Sequence, residues 1–133
     1  MSFLHEKAKM NADAAALLID KHLFAPSVHC SYYSCFQLFK VFLFKFNGID
    51  YNTQDKLSKK HKNGGTHNYI ITQILITVGD LDKDKYLEIK NKIHDLRLFR
   101  MKSDYFDYQI NYDQSRKALR ISNDIYTYFE QRL

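Results

Sequence analysis

The chain contains few residues that interrupt helices. Its 133 residues include one proline and four glycines, the two residue types least favourable inside an α-helix. Apolar residues do not alternate with polar ones over long runs, as they would in half-buried β-strands. The sequence therefore favours long helices over a β fold with many turns, and its length suits a single domain spanning residues 1–133.

Cysteine is also scarce, since the chain has only Cys30 and Cys35. Side chains five residues apart on one helix point in different directions, so we expect no disulfide within the chain. Two isolated thiols are typical of a reducing cytoplasm. No cysteine, histidine or carboxylate set has the spacing of a zinc site, and we expect neither a metal nor another cofactor.

Signals for secretion, membrane insertion and the common phosphate or hydrolase loops are missing. Residues 1–10 lack the apolar run of a signal peptide. Residues 28–46 are apolar but short, and Lys40 and Lys45 interrupt them, so we expect no membrane span. There is neither a glycine-rich phosphate loop nor a Gly-x-Ser-x-Gly elbow. We therefore expect a soluble cytoplasmic protein with no membrane partner.

Apolar residues recur at helical spacing in five segments. These segments are residues 2–23, 27–46, 67–79, 82–102 and 112–132. Gly48 is a typical C-cap for the second segment, and Asn111 with Gln114 is a typical N-terminal capping pair for the last. Residues 51–65 are predicted to form a long polar loop. The predicted fold is all-α, an up-and-down bundle of about five helices.

The second segment is apolar on almost every side. Its predicted buried stripe comprises Tyr32, Cys35, Phe36, Phe39, Phe42, Leu43 and Phe46. A helix of this kind either lies at the centre of its bundle or is also covered by a second subunit. Because the chain is short, we expect a homodimer.

Arg100 continues the apolar stripe of the fourth segment. A buried guanidinium must be paired or must face a wet cleft, because burying it alone is costly. Asp104 lies one helical turn later and can pair with it, and Tyr105 adds a hydroxyl and a ring. The residues form either a structural ion pair at a helix end or, since arginine binds phosphate oxygens through paired donors, an anion pocket.

Two histidines are candidate catalytic residues. A ribonuclease that uses no metal needs a proton-transfer group beside a cation that stabilises phosphate charge. His94 lies one turn before Arg97. His67 begins a helix, where backbone N–H groups attract anions, and it follows a basic stretch of Lys56, Lys59, Lys60, His61 and Lys62. The alternative for both histidines is a solvated surface, and the net charge of +5 suits either solubility or an anionic partner.

The order of these features resembles the HEPN domain family (higher eukaryote and prokaryote nucleotide-binding) along nearly the whole chain. Residues 32–36, the YYS-x-F segment within HCSYYSCFQLFKVFL, resemble the second helix of that family. Residues 100–105, RMKSDY, resemble its later signature of an arginine, an acid and a tyrosine. The resemblance implies an up-and-down helical bundle that pairs into a homodimer and binds nucleotides or RNA.

Many HEPN proteins are toxins or defence ribonucleases, often encoded beside a nucleotidyltransferase-like antitoxin. Their active sites carry an arginine, four to six further residues and then a histidine. Neither Arg97 nor Arg100 is followed by a histidine at that distance. The resemblance therefore implies a branch without the ribonuclease motif.

In that branch we expect a nucleotide- or RNA-binding module. Arg97 and Arg100 are expected to bind phosphate, with Asp104 orienting Arg100, and Tyr105 and Tyr32 are expected to contact a base or to pack beside it. Two alternatives stay open. One is a metal-independent ribonuclease toxin with a rearranged active site, and the other is a protein-interaction module without a ligand.

Overall fold

The computed structural model describes residues 2–60 and 65–133, and in these ranges it contains six helices and no strand. The helices are α1 (Phe3–Asp20), α2 (Phe24–Asn47), α3 (Tyr51–Lys60), α4 (Gly65–Leu81), α5 (Lys83–Asp104) and α6 (Tyr112–Glu130). The predicted all-α bundle is confirmed. The five predicted helices correspond to α1, α2, α4, α5 and α6.

Helix α3 was missed, because residues 51–65 were predicted to be a loop. Its buried face consists of polar residues, Gln54 and Ser58, so it leaves no apolar periodicity in the sequence. The side-chain Nε2 of Gln54 donates hydrogen bonds of 2.9 Å to the backbone carbonyls of Lys40 and Ile49. These bonds fix α3 against the end of α2. Within the basic stretch, His61 and Lys62 lie outside the described residues.

Helix α2 begins at Phe24, three residues earlier than predicted. Pro26 lies in its first turn, where the missing backbone N–H leaves no helical hydrogen bond unmade. The helix ends as predicted at Gly48, whose φ of 68° is the left-handed conformation that glycine adopts without strain. At α6 the predicted capping box of Asn111 and Gln114 is also present.

Helix α2 is the central element, and it packs against all five other helices. Most of its predicted stripe is buried, but Phe46 is 44% exposed. Phe46 lies in the last turn of α2 and stacks on Phe42, with ring centroids 4.2 Å apart, instead of entering the core. The apolar surface of α2 is thus largely covered within one chain and does not require a second subunit.

Helix α5 packs on α2, α4 and α6 through Ile89, Ile93 and Leu96, and Arg100 is buried on the same face. The helix continues to Asp104, so Arg100 and Asp104 lie one turn apart on it, as predicted. In the part of the chain that the structure describes, no helix has the length and apolar character needed to cross a membrane.

Candidate functional site

Arg100 lies at the centre of a cage of tyrosine rings. Its side chain is buried, with the whole residue 7% exposed. Its Nε donates to Oδ2 of Asp104 at 3.1 Å, and its Nη2 donates to the hydroxyls of Tyr33 at 2.9 Å and Tyr105 at 2.8 Å. The guanidinium carbon is 5.3, 5.4 and 4.8 Å from the ring centroids of Tyr32, Tyr33 and Tyr105. Cation–π contacts and hydrogen bonds together offset the cost of burying this charge.

Asp104 links the cage to the start of α2. Its Oδ2 accepts the bond from Arg100 and also a bond of 2.9 Å from Nδ1 of His29. The half-exposed His29 ring lies 4.6 Å from the ring of Tyr33, one helical turn further along α2. One carboxylate therefore accepts from an arginine on its own helix and from a histidine on another.

His29 was not predicted as a site residue, and Tyr33, which the sequence suggests as a stacking residue beside Tyr32, was not among the predicted ligand-binding residues. They are 75 and 67 positions from their partners Asp104 and Arg100, so no local spacing could reveal these contacts. The signal that was present is their own one-turn spacing, which puts two polar aromatic residues on one face of an otherwise apolar helix.

His67 joins the same cluster from the first turn of α4. Its Nδ1 is 2.8 Å from the hydroxyl of Tyr32, and its ring stacks on Phe36 with a centroid distance of 4.3 Å. Burial and then the charges of Arg100 and Arg97 lower the pKa of His67 to about 4. Burial raises the pKa of Tyr32, so the phenol keeps its proton and can donate it to Nδ1 of a neutral His67.

Tyr32 is therefore not available to stack on a base. It is 2% exposed, and its ring lies between the guanidinium of Arg100 and the imidazole of His67. Tyr105 is different, because it caps the C-terminal end of α5 and is 66% exposed. Of the two rings expected to meet a base, the structure leaves only Tyr105 accessible.

Arg97 borders the cage, whereas His94 lies apart from it. The Nη1 of Arg97 donates to Oδ1 of Asn68 on α4. His94 is exposed and lines a separate pocket of about 330 Å³ between α4 and α5, which Arg97 also lines. Of the two candidate catalytic histidines, only His67 is in the Arg100 cluster.

The cage retains unused hydrogen-bond donors. Within the described residues, the partners of Arg100 occupy its Nε and Nη2, and none of them occupies Nη1. Nη1 carries two N–H groups, and each can donate a charge-assisted hydrogen bond to a carboxylate or phosphate oxygen. The cage can thus bind an anion while Asp104 and two tyrosine hydroxyls hold the guanidinium plane in place.

The described ranges 2–60 and 65–133 contain neither a reactive cysteine nor a group of side chains suited to a metal. Burial raises the pKa of Cys35 to about 12, and burial with the nearby Asp104 charge raises that of Cys30, so both remain thiols rather than nucleophilic thiolates. These ranges contain no group of three or more His, Cys, Asp or Glu residues that could hold a metal ion. Comparison of the chain with family models, curated proteins and solved structures gives no match.

Proposed function

We propose that this chain is a HEPN-type module that binds a nucleotide or an RNA phosphate group as a homodimer. The observation that carries the proposal is the buried guanidinium of Arg100, with Nη1 unoccupied by any described residue. A structural ion pair would need only Asp104. Holding the same cation among three tyrosine rings fixes its orientation, which favours recognition of a planar or tetrahedral anion.

Each residue of the cluster has a role in this proposal. Arg100 binds a phosphate oxygen through Nη1, and Arg97 supplies a second positive charge nearby. Asp104 orients Arg100 through Nε, and the exposed ring of Tyr105 stacks on a base. Tyr32 lies beneath the guanidinium and holds His67, so its contribution is to position the cluster.

The homodimer is supported by the surface around the cage. Exposed apolar side chains are concentrated at the C-terminal end of α5 and in the segment that follows it, namely Leu98, Met101, Phe106 and Tyr108. Concentrations of this kind mark interaction sites. Pairing of this surface, which we call the α5-end patch, would bring two Arg100 cages and both copies of Arg97 to one cleft. The resemblance further implies a toxin–antitoxin or defence setting with a nucleotidyltransferase-like partner.

The test is a calorimetric titration of the purified protein with nucleoside mono- and triphosphates and with short single-stranded RNAs. Arg100→Lys keeps the charge but loses the planar guanidinium and its Nη1 donors, so we expect affinity to fall about tenfold or more. Arg132→Lys is the matched control, because Arg132 also binds an aspartate and a tyrosine but lies outside the cage, and it should leave affinity unchanged. The proposal fails if the wild-type protein binds none of these ligands.

A metal-independent ribonuclease is the second candidate, and the position of His67 favours it. In the tautomer in which Nδ1–H of His67 donates to the hydroxyl of Tyr32, Nε2 of the neutral ring, whose pKa is about 4, can accept a proton from a ribose hydroxyl. Incubation of RNA with EDTA should then yield discrete fragments with the wild type and none with His67→Ala, whereas His94→Ala should still cleave. If neither binding nor cleavage is found and Arg100→Ala only weakens the dimer, the chain is an interaction module without a ligand.

A further inference from the structure

The outer face of α1 carries a row of large apolar side chains that nothing in the described chain covers. Phe3, Met10 and Leu17 are 82%, 65% and 59% exposed. They are spaced seven residues apart, which is about two helical turns, so they form a nearly straight ridge with steps of about 10.5 Å. We call these three residues the α1 ridge. Apolar rows at this spacing are what one helix presents to another.

One edge of the α1 ridge is acidic. Glu6, Asp13 and Asp20 are all exposed, they follow the same seven-residue spacing, and within the described residues none of them is in an ion pair. The other edge of the ridge carries Lys7 and Lys21. In a chain with a net charge of +5, a regular row of unpaired carboxylates beside an apolar ridge suits a basic partner surface.

A surface of the complementary kind lies between α4 and α5. Two adjoining pockets of about 330 and 570 Å³ share Leu75 and Lys90 and together form what we call the α4–α5 groove. Its lining includes apolar side chains from both helices, namely Ile71, Leu75, Ile76, Tyr86 and Ile93. The groove is therefore apolar along its length and large enough to accept side chains from another helix.

The α5 side of the groove is basic. Its basic residues follow the same seven-residue spacing as the acidic residues at the edge of the α1 ridge. Lys90 and Arg97 line the groove, and Lys83 precedes Lys90 by another seven residues on the same face of α5. Across the groove, the α4 side carries Asp80. The charges thus match in both rows, with three bases opposite the three acids and an acid opposite the lysine edge of the ridge.

We propose that the α1 ridge of one copy of this chain docks into the α4–α5 groove of a second copy. Apolar side chains meet apolar lining, and the rows of opposite charge have the same seven-residue repeat, so one register can satisfy several pairs together. A second copy is the occupant that the observations favour, because the two complementary surfaces are present on one chain and none of its described residues covers either of them.

The geometry determines the kind of assembly that results. Helix α1 packs on α2 and α6 and has no contact with α4 or α5, so the ridge and the groove lie on different sides of the bundle. An interface between two different surfaces is heterologous, and it continues head to tail into a ring or an open chain. It is separate from the homodimer at the α5-end patch and can extend that dimer into larger assemblies.

Sedimentation velocity over a range of protein concentrations tests this proposal. The wild type should form assemblies larger than the dimer as protein concentration rises, and we call this increase in size growth. Asp13→Lys and Lys90→Glu should each stop this growth, with an association constant reduced about tenfold or more. The double variant Asp13→Lys/Lys90→Glu should grow again. An equimolar mixture of the two single variants should also grow, because each type of ridge then meets a groove of opposite charge.

Lys117→Glu is the matched control, since it reverses an exposed charge on α6 that lies neither on α1 nor in the lining of the groove, and it should leave growth unchanged. Three results would each overturn the proposal: a wild type that never exceeds the dimer, single variants that still grow, or a double variant that does not recover. All these substitutions lie outside the cage and the α5-end patch, so a failure here leaves the homodimer proposal standing. Growth is measured without nucleotide, because Arg97 lines the groove and also belongs to the proposed phosphate site.

Discussion

Two clusters in this protein are built from the same residue types. In the cage, Arg100 binds Asp104 and tyrosine side chains. At the other end of α5, Arg132 donates to Oδ2 of Asp82 at 3.3 Å and lies 3.7 Å from the ring centroid of Tyr128. Both arginines therefore combine an ion pair with a cation–π contact.

The two clusters differ in burial and in what the guanidinium donors bind. The side chain of Arg132 is 33% exposed, and its Nη1 donates to the backbone carbonyl of Tyr128 in the last turns of α6. Its Nη2 reaches Asp82, the N-cap of α5, so Arg132 joins two helix ends. The side chain of Arg100 is 9% exposed, and its partners in the described chain are all side chains. The Arg132 cluster is thus structural, because both Nη groups of the arginine bind helix ends. The Arg100 cluster favours ligand binding, because its buried guanidinium has an Nη1 group that no described residue occupies.

Replacing each arginine by alanine should give the largest difference in stability between the two clusters. We expect Arg100→Ala to lower the free energy of unfolding by about 3 kcal/mol, because it removes the cation beside the largely buried Asp104 carboxylate and leaves it only His29 and the Ser103 hydroxyl among the described residues. Arg132→Ala should cost less than about 1 kcal/mol, since that pair is partly solvated. Urea unfolding followed by circular dichroism measures both values, and equal losses would contradict the distinction.

The tyrosine hydroxyls of the cage can be tested one at a time. Tyr33→Phe removes a hydrogen bond to a buried charge and should cost about 1.5 kcal/mol. Tyr105→Phe should cost less, because the exposed position lets water replace the hydroxyl. The matched change in the other cluster, Tyr128→Phe, removes a long bond of 3.4 Å to Asp82 and should have the smallest effect. A larger loss for Tyr128→Phe than for Tyr33→Phe would contradict the comparison.

The free energy of unfolding should depend on pH through the protonation of His67. The described contacts of Arg132 include no histidine. The folded pKa of His67, about 4, lies below its ordinary value of 6.5, so the unfolded chain binds more protons between these two values. Stability should therefore fall as pH drops from about 6.5 to about 4. The loss is about 1 kcal/mol after allowance for solvent screening of a half-buried group. Unfolding of wild type and His67→Gln across this range measures the effect, and an equal slope in both would exclude His67 as its source.

The features that the sequence revealed are those encoded within one helix. Arg100 and Asp104 are four residues apart on α5, so their pairing follows from helical periodicity and from the cost of burying an unpaired cation. The apolar circumference of α2 gave its central position only as one of two alternatives, the other being cover by a second subunit. Gly48 and the pair Asn111–Gln114 marked helix ends through their local backbone chemistry.

The features that the sequence did not reveal depend on contacts between helices. Tyr33 and His29 reach the cage because the N-terminal half of α2 packs near the C-terminal end of α5. The position of His67 depends on how α4 packs against these two helices. Helix α3 is absent from the sequence prediction because its buried face consists of the polar residues Gln54 and Ser58. The hydrogen bonds of Gln54 stabilise this burial, and an apolar pattern cannot predict them. Phe46 was placed in the core by periodicity alone, although the last turn of α2 extends beyond its covering neighbours.

The most direct measurement is the nitrogen-15 NMR spectrum of the arginine side chains during titration with a nucleoside monophosphate and with short RNA. Resonances of Arg100 and Arg132 are assigned from the spectra of Arg100→Lys and Arg132→Lys. If the cage is the anion site, the guanidinium signals of Arg100 will shift and saturate with ligand while those of Arg132 stay in place. Saturating ligand that leaves Arg100 unshifted, or that shifts both arginines equally, would contradict the assignment of the site.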